Sequence, residues 1–538
     1  MIFPFENIIL RISELSISST GRQEISIIDN LSLDIEKSKI TSLTGESGSG
    51  KTMTALSILG LTKYHKNINV SGKILFRVPE GWIDILNISE KQLTQLRGKK
   101  ISIILQDPLS SFDPNKKCGK QLTEIIRTAK KVSTNAVAEE ALFLVKKMKL
   151  DPRVLNLYPH QLSGGELQRF SIAVALSSNP DLIIADEPTT NLDANLKAEI
   201  LNLIKEINRE GSVSFLLISH DLKAVKSVSD NICIIKNGKL LEYKKASDFF
   251  RKPDHQFTKK LIDAFFNFTL PPFTRHSDFA PVEVLNVMEI SKSFRTSFLI
   301  SVFNKNKGVD ALKNISFVIE KGETVGIIGE SGSGKSTIAR ILVRLEKADT
   351  GSVLLCGKNI SLPGSKKNVR KNIQMVFQNP VTSLNKIIKV GKLLKEPFET
   401  ALWSEINNDM LDMNTLKTQL GIYDELLERY PDNISGGEAQ RIALARALAY
   451  NPGLLVMDES LSALDKISQN EILCLLNDIK QTQDTSIIFI THDLSLARNF
   501  CDRIIIMKNG SILEQGLTSE IFNSPAQEYT KSLLNAIF

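Results

Sequence analysis

Leu162-Ser163-Gly164-Gly165-Glu166-Leu167-Gln168-Arg169 decides how the rest of this chain reads. By itself it is the start of a helix. Ser163 can cap the first turn, Glu166 can reach back to it, and apolar residues follow at helical spacing through Phe170, Ala173, Val174 and Leu176. Its surroundings give it weight. Upstream lies a glycine-rich loop ending in a lysine. Downstream an Asp-Glu pair closes an apolar strand, and a His-Asp follows a second one. The whole set then recurs around Ile434-Ser435-Gly436-Gly437-Glu438-Ala439-Gln440-Arg441.

The recurrence is metrical. Gln106 and Gln378, Ser163 and Ser435, Glu187 and Glu459, and His220 and His492 all stand 272 residues apart, whereas Lys51 and Lys335 stand 284 apart. The first copy therefore holds twelve extra residues between the lysine loop and Gln106, expected around Arg77 to Ile88. A repeat this long is a duplicated domain rather than a solenoid unit. The first domain is expected to span 1–266. It opens with strand alternation near Ile8 to Ile17 and has its last strand at Ile232 to Ile235, before the turn Asn237-Gly238. A Pro-containing linker, 267–281, leads to a second domain at 282–538. Helical patterns such as Ala194 to Asn208 and Lys466 to Thr482 alternate with short apolar strands, which argues for an α/β fold with a mostly parallel sheet in each domain.

Composition sets wide bounds. The 538 residues exceed what one core supports, and 42% apolar with 24% charged residues is ordinary for a globular protein. No apolar run is long enough to span a bilayer. Met1 to Arg11 carries Glu6 and no basic segment ahead of its apolar residues, so no secretory signal is expected. A net charge of +7 demands no anionic partner, and no nucleic acid is expected. The five cysteines are scattered without a Cys-x-x-Cys, which signals neither disulfides nor a metal site.

Two motifs carry chemistry directly. Gly45-Glu46-Ser47-Gly48-Ser49-Gly50-Lys51-Thr52 and Gly329-Glu330-Ser331-Gly332-Ser333-Gly334-Lys335-Ser336 fit the phosphate-loop pattern, each between a plausible strand and a helix. Glycines let backbone N–H groups wrap phosphates, and the helix N-terminus adds positive potential. The lysines would reach the β- and γ-phosphates, and the Thr52 and Ser336 hydroxyls would ligate Mg²⁺. Asp186-Glu187 and Asp458-Glu459 end buried strands. The first carboxylate of each pair suits Mg²⁺; the second can polarise an attacking water.

With these motifs in this order, twice, the chain resembles the ATP-binding cassette (ABC) family over nearly its whole length. The resemblance implies two tandem P-loop ATPase domains, each with a mostly parallel sheet core, an antiparallel β subdomain and a helical signature subdomain, using ATP and Mg²⁺. It implies that Gln106 and Gln378 approach Mg²⁺ and water, and that His220 and His492 contact the γ-phosphate. Asp193 and Asp465 would lie in loops that cross between cassettes. Ser163, Gly164, Gly165 and Glu166, with Ser435, Gly436, Gly437 and Glu438, would form the signature helix starts that close onto ATP held by the opposite cassette, head to tail. Gln106-Asp107-Pro108-Leu109-Ser110-Ser111-Phe112-Asp113-Pro114, Tyr158-Pro159-His160-Gln161 and the tails His255 to Leu261 and Gln527 to Leu534 look like the peptide/nickel importer branch. That branch implies uptake of oligopeptides or microcin C-like peptides, with a glutathione importer of the same layout. It also implies two membrane permease subunits, an extracytoplasmic substrate-binding protein and a location on the cytoplasmic face of the membrane.

Three departures stand out. The tails lack the cluster-binding cysteines of some branch members. Ser460 stands where the family usually has proline. Phe294 matches the residue that stacks on adenine, but its counterpart in the first half lies near Ser18-Ser19, so weaker ATP binding is expected there. The rival reading is a ribosome-associated ATPase of the ABC-F type, also two fused cassettes. Those proteins carry a long charged helical arm between the halves, whereas this linker runs Phe-Asn-Phe-Thr-Leu-Pro-Pro-Phe from Phe266.

Overall fold

The computed structural model describes the chain except residues 1–4, 21–23, 47, 66, 131–132, 191, 193, 212, 271–281, 295–308, 331, 363–368, 370, 400–409, 463 and 536–538, together with the side chains of 5, 24, 194, 195 and 535. Ser47, Ser331, Asp193 and most of the expected linker thus lie outside the described residues. Two compact units form, Met1–Asn267 and Phe268–Phe538.

Unit one contains β1 (Ile8–Thr20), β2 (Glu24–Glu36), β3 (Ile40–Thr44), β4 (Ile68–Val78), β5 (Gly81–Asp84), β6 (Ile101–Ile104), β7 (Leu182–Asp186), β8 (Ser214–Ile218), β9 (Asn231–Lys236) and β10 (Lys239–Lys245). Its helices are α1 (Lys51–Ile58), α2 (Glu90–Leu96), α3 (Cys118–Lys130), α4 (Thr134–Lys147), α5 (Gly164–Leu176), α6 (Ala194–Gly211), α7 (Leu222–Val228), α8 (Ala246–Arg251) and α9 (Gln256–Phe266). β1 alternates as its sequence suggests: Leu10, Ile12, Leu15 and Ile17 are buried and their neighbours less so. It lies in an antiparallel sheet of order β2-β1-β4-β5. The short strands β3, β7 and β8 are buried at every residue, as a parallel sheet covered on both faces requires. They belong to a six-stranded sheet of order β10-β9-β3-β8-β7-β6, parallel except at β10. One apolar cluster joins the antiparallel sheet to one face of the core sheet; another joins the opposite face to α3, α4 and α5.

Unit two repeats this with β11 (Glu283–Phe294), β12 (Val309–Glu320), β13 (Thr324–Ile328), β14 (Thr350–Leu355), β15 (Lys358–Asn359), β16 (Ile373–Val376), β17 (Leu454–Asp458), β18 (Ser486–Thr491), β19 (Arg503–Lys508) and β20 (Ser511–Leu517). Its sheet orders are β12-β11-β14-β15 and β16-β17-β18-β13-β19-β20.

Three features differ from the sequence reading. Ile232 to Ile235 is not the last strand of its half. Asn237 (φ 48°) and Gly238 (φ 77°) both sit in the left-handed region, as a tight hairpin turn requires, and return the chain as the antiparallel edge strand β10. Its charged sequence, Lys239-Leu240-Leu241-Glu242-Tyr243-Lys244-Lys245, hides that edge role. The extra length of unit one is also divided. The left-handed glycines Gly72 and Gly351 are 279 apart, so five of the twelve residues fall before Gly72 and seven after it. Finally, Phe268 and Leu270, inside the expected linker, pack against the core of unit two, and Asn499 Nδ2 donates to the Phe268 carbonyl at 3.1 Å.

Candidate nucleotide-hydrolysis sites

Each motif sits at the carboxyl end of a neighbouring parallel strand. The phosphate loop follows β3, His220 follows β8, the carboxylates end β7 and Gln106 follows β6. The crevice outside such strand ends is where open α/β sheets bind ligands. Unit two places its loop after β13, His492 after β18, Asp458-Glu459 at the end of β17 and Gln378 after β16.

The phosphate loops are tightly set. A Cβ on Gly45 would lie 2.0 Å from the Ile235 carbonyl oxygen, and one on Gly329 2.3 Å from that of Met507, so the chain passes there only as glycine. Gly50 (φ 101°) and Gly334 (φ 104°) turn into the helices in the left-handed region. Lys51 Nζ donates to the carbonyls of Gly45 (3.0 Å) and Glu46 (2.7 Å) and lies 3.4 Å from Ser49 Oγ. Lys335 Nζ donates to Gly329 and Glu330, both at 2.8 Å. Burial lowers the Lys335 ammonium from its usual range, against the carboxylates of Glu459 and Asp458.

The carboxylate pairs divide their roles by environment. Burial raises Asp186 and Asp458, against the neighbouring hydroxyls of Thr52 and Ser336; Ser336 Oγ donates to Asp458 at 3.0 Å. Asp186 Oδ1 is buried with no hydrogen-bond partner. A hydroxyl beside a buried carboxylate with an orphaned oxygen is a donor set that fits Mg²⁺.

Glu187 is different. Burial works to raise it, but His220 Nδ1 at 3.0 Å, the Thr190 hydroxyl at 2.9 Å and the charge of Lys51 together hold it below the usual glutamate value. Gln106 Nε2 donates to the same carboxylate at 3.2 Å. Glu459 is held down first by His492, 3.6 Å away, with burial opposing, and accepts from Gln378 Nε2 at 3.0 Å. Lys335 Nζ lies 3.9 Å from its Oε1. Both glutamates adopt left-handed backbone, φ 48° and 46°, and each N–H donates at 2.9 Å to a carbonyl of the neighbouring parallel strand, Ile218 of β8 or Ile490 of β18. Such a conformation costs a non-glycine residue about 1–3 kcal/mol and aims the carboxylate away from the strand direction.

The signature stretches start helices as their sequences suggest. Ser163 Oγ accepts from the Glu166 N–H at 3.3 Å while Glu166 accepts from the Ser163 N–H at 2.9 Å. Ser435 and Glu438 form the same box at 3.3 and 2.7 Å. Asp465 caps the helix Lys466–Gln483 by accepting from the Ser468 N–H at 3.0 Å. Phe294 ends β11, 40% exposed, with Lys292 Nζ 5.5 Å from its ring centroid. The strand register pairs Phe294 with Val309 and Ser19 with Ile25, which makes Ser19 its counterpart. The sequence alone does not point to Thr190, whose hydroxyl donates to Glu187. Its fixed spacing after Glu187 carried the signal, but only the turn between them reveals the contact.

Strand-end phosphate loops, paired carboxylates and a glutamine and histidine converging on the second carboxylate define a P-loop nucleotide-hydrolysing protein with two such domains. The family model for the ABC transporter matches residues 28–190 and 312–462, and the chain belongs to that family as an ATP-binding ATPase component. It is 36% identical over 98% of its length to an uncharacterised ABC transporter ATP-binding protein YejF of Escherichia coli (strain K12), covering 99% of that protein. It is 35% identical to the peptidoglycan transport ATP-binding protein YejF of Agrobacterium fabrum, over 98% of this chain and 96% of that one. It is 33% identical to the glutathione import ATP-binding protein GsiA of Escherichia coli (strain K12), over 98% and 89%. Among solved structures, the ATP-binding cassette MJ0796, a dimer in a post-hydrolysis state bound to ADP and Pi, aligns with 44% of this chain and 98% of its own at 27% identity and TM-score 0.38. The relatives are transport proteins, so the ribosome-associated reading is set aside. Among the described residues no helix is long and apolar enough to cross a membrane.

Proposed function

We propose that this chain hydrolyses ATP to drive uptake of oligopeptide-class cargo through two separate membrane permease subunits fed by an extracytoplasmic binding protein. The observation that carries the hydrolytic part is the convergence of a glutamine and a histidine on the carboxylate after each buried aspartate. The transport part draws on the likeness to transport and import relatives. The cassettes, 1–266 and 282–538, flank the segment 267–281, of which Phe268 and Leu270 pack on the second cassette, and they pair head to tail at the cytoplasmic face of the membrane.

Site one combines Lys51, Thr52, Gln106, Asp186, Glu187 and His220 with Ser435, Gly437 and Asp465. Site two combines Lys335, Ser336, Gln378, Asp458, Glu459 and His492 with Ser163, Gly165 and Asp193. In each, the loop N–H groups and lysine bind the phosphates. Thr52, Asp186 and Gln106, or Ser336, Asp458 and Gln378, would hold Mg²⁺, which shields phosphate charge when bound. Glu187 or Glu459, ionised at neutral pH, accepts a proton from the attacking water, which the glutamine orients; the histidine faces the γ-phosphate. The N–H groups at the opposite signature helix start complete the anion site.

The test is affinity purification of a tagged Glu187→Gln/Glu459→Gln chain from detergent-solubilised native cells with ATP present. Two co-purifying multi-span membrane proteins are expected. Ribosomal subunits instead would overturn the transport reading while leaving the hydrolytic sites intact.

A further inference from the structure

The tail of each cassette has no part in the chemistry above, yet it is held with care. In unit one Glu242, 6% exposed on edge strand β10, accepts the backbone N–H groups of Asp254 (2.9 Å) and His255 (3.2 Å) and pairs with Lys244 at 3.1 Å. His255 Nδ1 then accepts the Phe257 N–H at 3.0 Å, capping α9. This pinning points the buried Phe257 ring at Lys236, whose Nζ lies 4.0 Å from the ring centroid.

Lys236 ends β9, and its Nζ is 3.3 Å from Oε1 of Glu46, the second residue of the phosphate loop. The residue before it, Ile235, supplies the carbonyl against which Gly45 is packed. Tail ring, lysine and the first two loop residues thus form one continuous stack. A part-exposed ion pair alone holds little. A ring under the ammonium restricts where it can go and adds a cation–π attraction.

Unit two repeats the anchor. Glu514 accepts from the N–H groups of Ala526 (2.8 Å) and Gln527 (3.2 Å), Lys508 Nζ lies 4.2 Å from the Tyr529 centroid, and Met507 packs on Gly329. Among the described residues, no ion pair joins Lys508 to Glu330.

We propose that Phe257, acting through Lys236, positions the phosphate loop of cassette one, so that docking of the tail sets that cassette's affinity for ATP. Phe257 is a positioning residue, and the inference rests on the nucleotide reading of cassette one. The test uses the full chain carrying Lys335→Ala, so that equilibrium titration with a fluorescent ATP analogue and Mg²⁺ reads cassette one. Phe257→Leu and Lys236→Met should each weaken binding about three- to thirty-fold. The double variant should bind no worse than Lys236→Met alone, and Phe257→Tyr, the ring found in unit two, should restore affinity. Unchanged affinity in Phe257→Leu, additive losses in the double variant, or failure of Phe257→Tyr to rescue would each overturn the coupling. If the Lys335→Ala parent itself binds no ATP, the nucleotide reading of cassette one falls, and the coupling with it.

Discussion

At the scale of single residues, the two buried carboxylates of each site are kept apart in character by what touches them. Asp186 and Asp458 are raised by burial, whereas Glu187, through His220, Thr190 and Lys51, and Glu459, through His492 and Lys335, are held below the usual glutamate value. Replacing both glutamates by glutamine should lower phosphate release by about 10²–10⁴-fold with ATP binding retained; loss of binding as well would assign them to holding nucleotide instead. The missing aromatic at Ser19 makes a second prediction. Nucleotide titration should find Lys51→Ala, which leaves site two, binding more tightly than Lys335→Ala, by up to the about 1–3 kcal/mol of base stacking; equal affinities would remove the argument. Loops, carboxylates, glutamines and histidines were legible in the sequence because short spacing fixes each of them. The left-handed backbone of Glu187 and its bond from Thr190 were not. Both depend on a turn closed by the Ile218 carbonyl from a neighbouring strand.

At the scale of elements, close approach decides tolerance. Gly45→Ala would drive a Cβ to 2.0 Å from the Ile235 carbonyl at a φ of +152°, whereas Gly48 has open space around its Cβ position. Gly45→Ala should therefore destabilise unit one by about 1–3 kcal/mol and Gly48→Ala by less, read from thermal melting. The tail anchor carries a pH signature. Burial opposes the Glu242 charge, but the Asp254 N–H, the His255 N–H and Lys244 hold it below its ordinary value. A depressed carboxylate stabilises the fold fully above its unfolded value of about 4.3, and that contribution disappears as pH falls through the lower folded value. The melting-temperature gap between the parent and Glu242→Gln should thus be constant near neutrality and close in acid. A gap that widens in acid would contradict the anchor. Strands such as β7 and β8 could be read from their apolar runs. β10 could not, because its charged side chains serve an edge, and its turn was the only trace of it.

At the scale of the whole molecule, each unit brings a lysine, a hydroxyl, a glutamine, a carboxylate pair and a histidine to the ends of its parallel strands. Glu187→Gln alone and Glu459→Gln alone should each hydrolyse ATP faster than the double variant; if either single change falls to the double variant's rate, the two sites fire as one. The duplication was plain in the sequence, but the packing of Phe268 and Leu270 on unit two was not, since nothing local distinguishes a tether from an anchored segment. The left-handed residues carry one more consequence. Asn179 and Asn451, Glu187 and Glu459, Asn237 and Asn509, and Gly238 and Gly510 recur at the same 272-residue interval that relates Gln106 to Gln378 and Phe257 to Tyr529. From the glutamine to the tail ring the two halves are therefore in frame at each of these positions. All net length change since the duplication lies upstream of Gln106. A gene recombined between these two segments would therefore keep its length, and the seam for such an exchange falls just ahead of Gln106 and Gln378.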